Sequence, residues 1–112
     1  GCDNFATRYL IDEVCASLKK PFVHGAIREL AGQVSVFDYE NSPTRFSDLF
    51  PEQEEILRMP PPPKGVVGVT PGIVGLMEAN EVLKLICGYG TLMVGKLWMI
   101  DLRTLETHII SL

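Results

Sequence analysis

Residues 65–90, GVVGVTPGIVGLMEANEVLKLICGYG, constrain the chain more than any other stretch, because they combine a helix start, a long apolar run and a helix stop. The Thr70 hydroxyl can cap a helix and Pro71 fits a first turn, where no amide hydrogen needs a partner, so the pattern predicts a helix from about Pro71. Ile73, Val74, Leu76, Met77, Val82, Leu83, Leu85 and Ile86 predict a broad apolar surface, with Glu78, Glu81 and Lys84 recurring at helical spacing on a narrow wet edge. Such a helix is expected to be mostly buried. Gly72, Gly75 and Ala79 lie along one side and admit another backbone, and Gly88 is placed to end the helix in a left-handed cap.

With 112 residues the chain is read as one domain, large enough to bury a core but small for an enzyme that holds both a nucleotide and a second substrate. A net charge of -4 gives nucleic-acid binding no support and pulls only weakly toward a basic partner. No apolar run approaches the roughly 20 residues of a membrane span, and the start lacks the basic and apolar regions of a secretion signal, so no membrane association and a cytoplasmic setting are the default expectations. Cys2, Cys15 and Cys87 are odd in number and form no CxxC pair, against a disulfide framework or a zinc ribbon. Cys15 and Cys87 read as small buried hydrophobes. Cys2 stands beside a helix start, but no base lies near it in sequence to support catalysis.

Asp3 and Asn4 are both good caps, and the residues after them read as helix to about Leu18. Ile11, Val14, Cys15 and Leu18 stack on one face of it, and Phe5, Tyr9 and Leu10 widen that face. Lys19 and Lys20 suit the negative end of its dipole, and Pro21 stops it. Residues 22–28 and 33–39 change to strand period, joined through 29–32 as an antiparallel hairpin. Val34 and Val36 are set to one side and Ser35, Phe37 and Tyr39 to the other, so this strand is expected to be covered on both faces. Residues 40–64 form a crossover loop or lid whose length predicts mobility, with a short helix over 52–59 and extended prolines at 60–63. Residues 96–101 and 106–111 alternate as a second hairpin turning through 102–105. The fold class is therefore α/β, a mixed sheet with covering helices. The chain opens directly on a helix cap, as though a strand before Asp3 were missing.

Four sequence words carry the reading further: GCDNFATRYLID, KPFVHGAI with GQVSVF, LFP, and GVVGVTPGIVGLMEANEVLKLICGYG. In this order, over nearly the whole chain, they resemble the C-terminal half of the ThiF/MoeB/HesA family, bacterial relatives of ubiquitin-activating enzymes. The resemblance implies the second half of a Rossmann-like fold. It also implies a parent enzyme that uses ATP and magnesium to adenylate the C-terminal glycine of a ubiquitin-like sulfur carrier, for molybdopterin, thiamine or related pathways, and that forms a homodimer. A carboxylate is a poor acyl donor until its oxygen is joined to a phosphate, and attack on that phosphorus needs the phosphate charge neutralised.

The family's magnesium-holding aspartate of the DN pair carries over to Asp3, which by sequence alone is an N-cap; one oxygen can cap while the other faces the site. Asn4 and Arg8 also match the motif and belong to the ATP side, although Arg8 is also placed to pair with Asp12 at i+4. His24 reads as a hydrogen-bonded core histidine, His108 has no ligand partner at usable spacing, and Trp98 reads as sheet packing.

Two departures bear on chemistry. Many relatives carry a zinc-binding CxxC pair just before LFP, where this chain has Arg45 and Asp48, so no zinc is expected. Some carry a cysteine in the crossover loop that links covalently to the carrier; residues 52–64 contain none, so the parent is expected to stop at the acyl adenylate and leave sulfur delivery to a separate donor. The glycine-rich nucleotide loop and the phosphate-clamping arginine and lysine of the family have no counterpart in these 112 residues. The expectation is an inactive fragment of a longer enzyme, prone to self-association. The alternative is a non-catalytic interaction or dimerisation module that keeps the fold.

Overall fold

The computed structural model describes residues 2–60 and 65–112. Asn4 begins the first helix, α1 (Phe5–Leu18), by accepting the Thr7 amide on its side-chain oxygen at 2.7 Å. Lys19 ends it in the left-handed region, with its amide on the Ala16 carbonyl. After Pro21 the chain forms β1 (Phe22–Arg28) and β2 (Ala31–Phe37), a hairpin with a two-residue turn in which Glu29 takes a φ of 53°. Two short helices follow, α2 (Phe46–Leu49) and α3 (Gln53–Arg58), then the long α4 (Val69–Cys87), capped by Gly88 at φ 72°. β3 (Lys96–Asp101) and β4 (Glu106–Ser111) close the chain as a second hairpin over the expected residues. Among the described residues no helix is long and apolar enough to cross a membrane.

The four strands form one sheet in the order β1-β2-β3-β4, antiparallel at every pairing. The parallel part of the expected mixed sheet is confined to one bridge, Val36 to Val94. The hairpin turns are tied together by the Leu102 amide on the Leu30 carbonyl at 2.8 Å and by an Arg103–Glu29 ion pair at 3.1 Å.

Register assigns the faces. Phe22 opposes Phe37 and His24 opposes Ser35, so these four share one face with Leu97; Gly25, Ile27, Gly32, Val34 and Trp98 share the other. The first face meets α1 and α2 through a core of Tyr9, Phe37 and Phe46, widened by Phe5, Phe22, Tyr39, Leu49, Phe50 and Ile56. The second face meets α4, where Val74 lies against Gly32 and the Glu78 carboxyl lies against Gly25. β2 is therefore covered on both faces, and Val34, Ser35, Val36 and Phe37 are all buried. Trp98 is half-buried between Val34 and Ile109 in register, as sheet packing requires. β4 is exposed along its length.

Several expectations are corrected here. α4 starts at Val69 with Gly68 as its N-cap, and Thr70 does not cap it: its buried hydroxyl donates to the Glu29 carbonyl at 2.8 Å, pinning the helix to the first hairpin turn. The orientation of α4 is inverted. The predicted wet edge faces inward, with Glu81 2% exposed and paired to Lys84 at 3.2 Å, while Leu76 (74%) and Ile86 (76%) stand in solvent. The physical reason is that a helix apolar around most of its circumference needs two surfaces to cover it, and the sheet supplies one. The stripe through Thr70, Val74, Glu81 and Leu85 takes that surface because Gly25 and Gly32 leave hollows that admit Val74 and the Glu78 stem. Gly72, Gly75 and Ala79 are on the outer side, and nothing lies within 4 Å of a Cβ built at either glycine. Cys87 is exposed with them rather than buried, and Cys15 is half-buried.

In α1 the buried residues are Tyr9 and Asp12, whereas Leu10, Val14 and Leu18 are exposed. The aromatic rings of the loop outcompete the aliphatic stripe because they provide the larger apolar area. The crossover segment is likewise no free lid at its start, since Phe46 is completely buried. The extended prolines predicted at 60–63 fall, apart from Pro60, outside the described residues.

Candidate functional site

The DN pair sits at the open N-terminal end of α1, where amides without helical partners create a positive potential. Asn4 does the capping; Asp3, expected to share that work, is exposed and among the described residues accepts only the Asn4 side-chain amide, at 3.4 Å. The Asp3 carboxylate is thus not consumed by the helix. Arg8 lies one turn on, its guanidinium over the Phe5 ring at 5.2 Å. The Arg8–Asp12 pair is not formed, because Asp12 is turned into the core toward a different arginine, and the Arg8 Nε is buried without a hydrogen-bond partner among the described residues. The three predicted residues are therefore gathered at one helix end, with Asp3 outermost and Arg8 drawn back against an aromatic ring.

Behind them, His24 is 1% exposed among Phe22, Phe37 and Phe46. Burial, then the positive charge of Arg8, lowers its pKa from 6.5 to about 4, so it is neutral at ordinary pH. The core assignment holds, but the hydrogen-bonded part does not: its Nε2 has no partner among the described residues. His108 is exposed on β4, 3.9 Å from Glu106.

Sequence reasoning passed over the most connected polar residue, Asp12. It is buried in α1 and accepts hydrogen bonds from the Tyr39 hydroxyl, the Phe46 amide at 3.1 Å and the Ser47 amide at 3.2 Å. The Arg45 guanidinium approaches it at 3.5 Å. Burial, then the hydrogen bond to Asp12 and its charge, holds the Tyr39 phenol far above its ordinary range. A signal was present: Asp12 falls three residues after Tyr9 on the face that carries Phe5 and Tyr9, and an acid on an apolar face needs internal partners. A cleft of about 450 Å³ opens above it, between α1, Arg45, Ser47 and Gln53.

Two further ties fasten the start of the crossover segment. The Tyr9 hydroxyl donates to the Phe50 carbonyl at 2.6 Å, and Asp48 accepts the Arg45 amide at 2.8 Å, closing a turn at the two positions that differ from the zinc-binding pattern.

The ThiF family model matches residues 1–112 of the chain. A probable molybdopterin-synthase adenylyltransferase of Pyropia yezoensis is 42% identical over 97 residues, which cover 85% of this chain and 25% of that protein. The adenylyltransferase and sulfurtransferase MOCS3-1 of Drosophila pseudoobscura pseudoobscura is 38% identical over 107 residues, 88% of this chain and 22% of that protein. Among solved structures, PaaA aligns with a TM-score of 0.71 at 15% identity, over 95% of this chain and 32% of its own. E. coli MccB aligns at 0.66 and 12% identity, over 93% and 32%. These structural likenesses are of fold. The chain spans about a quarter of the length of the curated relatives it matches.

Proposed function

The chain belongs to the ThiF family, and on that premise we propose that it is the C-terminal half of the ThiF-type domain of a longer ATP-dependent enzyme, which adenylates the C-terminal glycine of a ubiquitin-like sulfur carrier for molybdopterin or thiamine synthesis. Relatives named as adenylyltransferases support this reading. The observation that carries it is the freedom of Asp3: Asn4 caps the helix, and an exposed carboxylate is left at its positive end.

Magnesium suits that position. This ion is commonly held by one or two carboxylates, with phosphates and water supplying the remaining ligands, and Asp3 would supply one such carboxylate. When bound, the ion would neutralise charge on the nucleotide phosphates. Asn4 holds the helix end in place by its cap, and Arg8 supports the nucleotide side from its seat on Phe5. The crossover segment and the neighbouring sheet guide the carrier's tail toward Asp3. The glycine-rich loop and phosphate clamp belong to the rest of the parent, so these 112 residues alone are proposed to be inactive, and the parent to work in the cytoplasm as a homodimer.

Carrier-dependent exchange of pyrophosphate into ATP tests the reading. In the full-length parent, Asp3→Ala should reduce exchange by two to three orders of magnitude, or about 3–4 kcal/mol of transition-state stabilisation. Exchange that survives the substitution would remove Asp3 from the mechanism. A second reading, a non-catalytic interaction module, is favoured by the uncharged, exposed outer face of α4; it requires a parent that binds its partner normally with or without Asp3 and catalyses no exchange.

A further inference from the structure

The crossover segment has two unlike parts. Its beginning is fastened: Phe46 is completely buried, and Tyr9 holds the Phe50 carbonyl. Its continuation is held more lightly: α3 has no fully buried residue and reaches the core only through the edge of Ile56, and its Arg58–Glu54 pair is exposed at both ends. Asp12 lies at the junction. Its two oxygens accept from Tyr39, at the exit of β2, and from Phe46 and Ser47, at the start of α2, so one carboxylate closes the intervening stretch into a fixed loop. The Arg45 side chain, 44% exposed, supplies the neutralising charge from the solvent side.

Asp12 lies in α1 seven residues after its first residue, about 10 Å along the axis at the helical rise, and Asp3 stands just before the cap at that helix start. A rigid helix therefore joins the point where the crossover segment is anchored to the end that presents Asp3. From this geometry we propose that Asp12 is a positioning residue for carrier binding: it sets where the crossover segment leaves α1, and so where the segment meets the extended C-terminal peptide of the carrier. This rests on the adenylation reading above. Asp12 is buried and its oxygens are taken up by Tyr39, Phe46, Ser47 and Arg45, so its removal should affect the fit of the carrier peptide and leave ATP binding and the chemical step nearly intact.

Asp12→Ala leaves the buried Phe46 amide, the half-buried Ser47 amide and the Tyr39 phenol without their acceptor. The asparagine variant keeps one carbonyl oxygen for the Phe46 amide and loses the charge that holds Arg45, so it should fall between wild type and Asp12→Ala.

The experiment uses the full-length parent, with a molybdopterin-type and a thiamine-type sulfur-carrier protein supplied in turn. Pyrophosphate exchange is measured against both carrier and ATP concentration for wild type, Asp12→Asn and Asp12→Ala, and hydrogen exchange is followed at the amides of Phe46 and Ser47. Asp12→Ala should raise KM for the carrier about tenfold or more, with KM for ATP and kcat within about threefold, and should speed exchange at both amides; Asp12→Asn should be intermediate in both measurements. Should Asp12→Ala fail to fold, the asparagine variant carries the same comparison. An unchanged carrier KM despite faster amide exchange would overturn the assignment, as would parallel losses in kcat and both KM values, which mark a general loss of structure. Wild-type parent inactive on both carriers would overturn the adenylation reading itself, and the assignment with it.

Discussion

On one face of the sheet, Phe37 and His24 meet Phe46 across a wall of rings; on the other, α4 lays Val74 and Glu78 over Gly32 and Gly25 and leaves Leu76 and Ile86 outside. The first layer is closed by the chain itself, because the crossover segment folds back to supply Phe46 and Phe50, and Asp12 satisfies the amides that this return buries. The second layer is half closed. Polar groups reach the sheet there as neutralised or partly solvated passengers: Glu81 is matched by Lys84, and burial raises the pKa of the Glu78 carboxyl. Closure from within fixes α1, and with it the helix end proposed as the site, whereas an open helix face provides surface for something else to cover.

The contrast can be broken most directly at Phe46. Truncation to alanine should cost about 3–5 kcal/mol in urea unfolding, since a completely buried ring leaves a cavity that its aromatic neighbours only partly fill. A loss below 1 kcal/mol would mean that the crossover segment is not part of the core.

His24 tests the dryness of the same layer. Its pKa falls from 6.5 to about 4 on folding, so as pH drops below 6.5 the unfolded chain takes up a proton that the folded chain refuses until about pH 4. The stability associated with a neutral His24 is fully present above pH 6.5 and is lost toward pH 4, with a slope of about 1 kcal/mol per pH unit between 6 and 5. His24→Leu should flatten that slope in urea titrations over this window. A slope unaltered by the substitution would assign the pH dependence to other groups.

On the α4 side, the glycine hollows should respond unequally. A methyl group at Gly32 would collide with Val74, which is β-branched and buried, and Gly32→Ala should cost about 1–3 kcal/mol. At Gly25 the obstacle is the end of the flexible Glu78 side chain, which can swing toward water, so Gly25→Ala should cost about 1 kcal/mol or less. Equal costs measured by chemical unfolding would contradict the packing described for α4.

The smallest effect is expected on its outer face. The double change Leu76→Ser and Ile86→Ser should alter the stability of the chain by no more than about 0.5 kcal/mol per site, while lowering its tendency to associate in light scattering. A large loss of stability would mean that this face is covered in solution.

Local chemistry was legible wherever neighbours in sequence were enough. Asn4 as a cap, Pro21 as a stop, Gly88 in the left-handed region and both hairpins follow from backbone preferences and strand period, and the second hairpin matches its predicted bounds. The order of motifs was equally legible, since sequence words survive independently of packing. The sequence could not decide which side of each helix meets the sheet. For α4, apolar periodicity identified a surface that needs covering without saying by what, and the hollows at Gly25 and Gly32 drew a different stripe inward. For α1, the rings contributed by residues far along the chain turned Tyr9 and Asp12 into the core. Asp12 shows the limit most clearly: its partners are 27 to 35 residues away, and only the return of the crossover segment over α1 brings those donors within hydrogen-bond reach of one buried carboxylate.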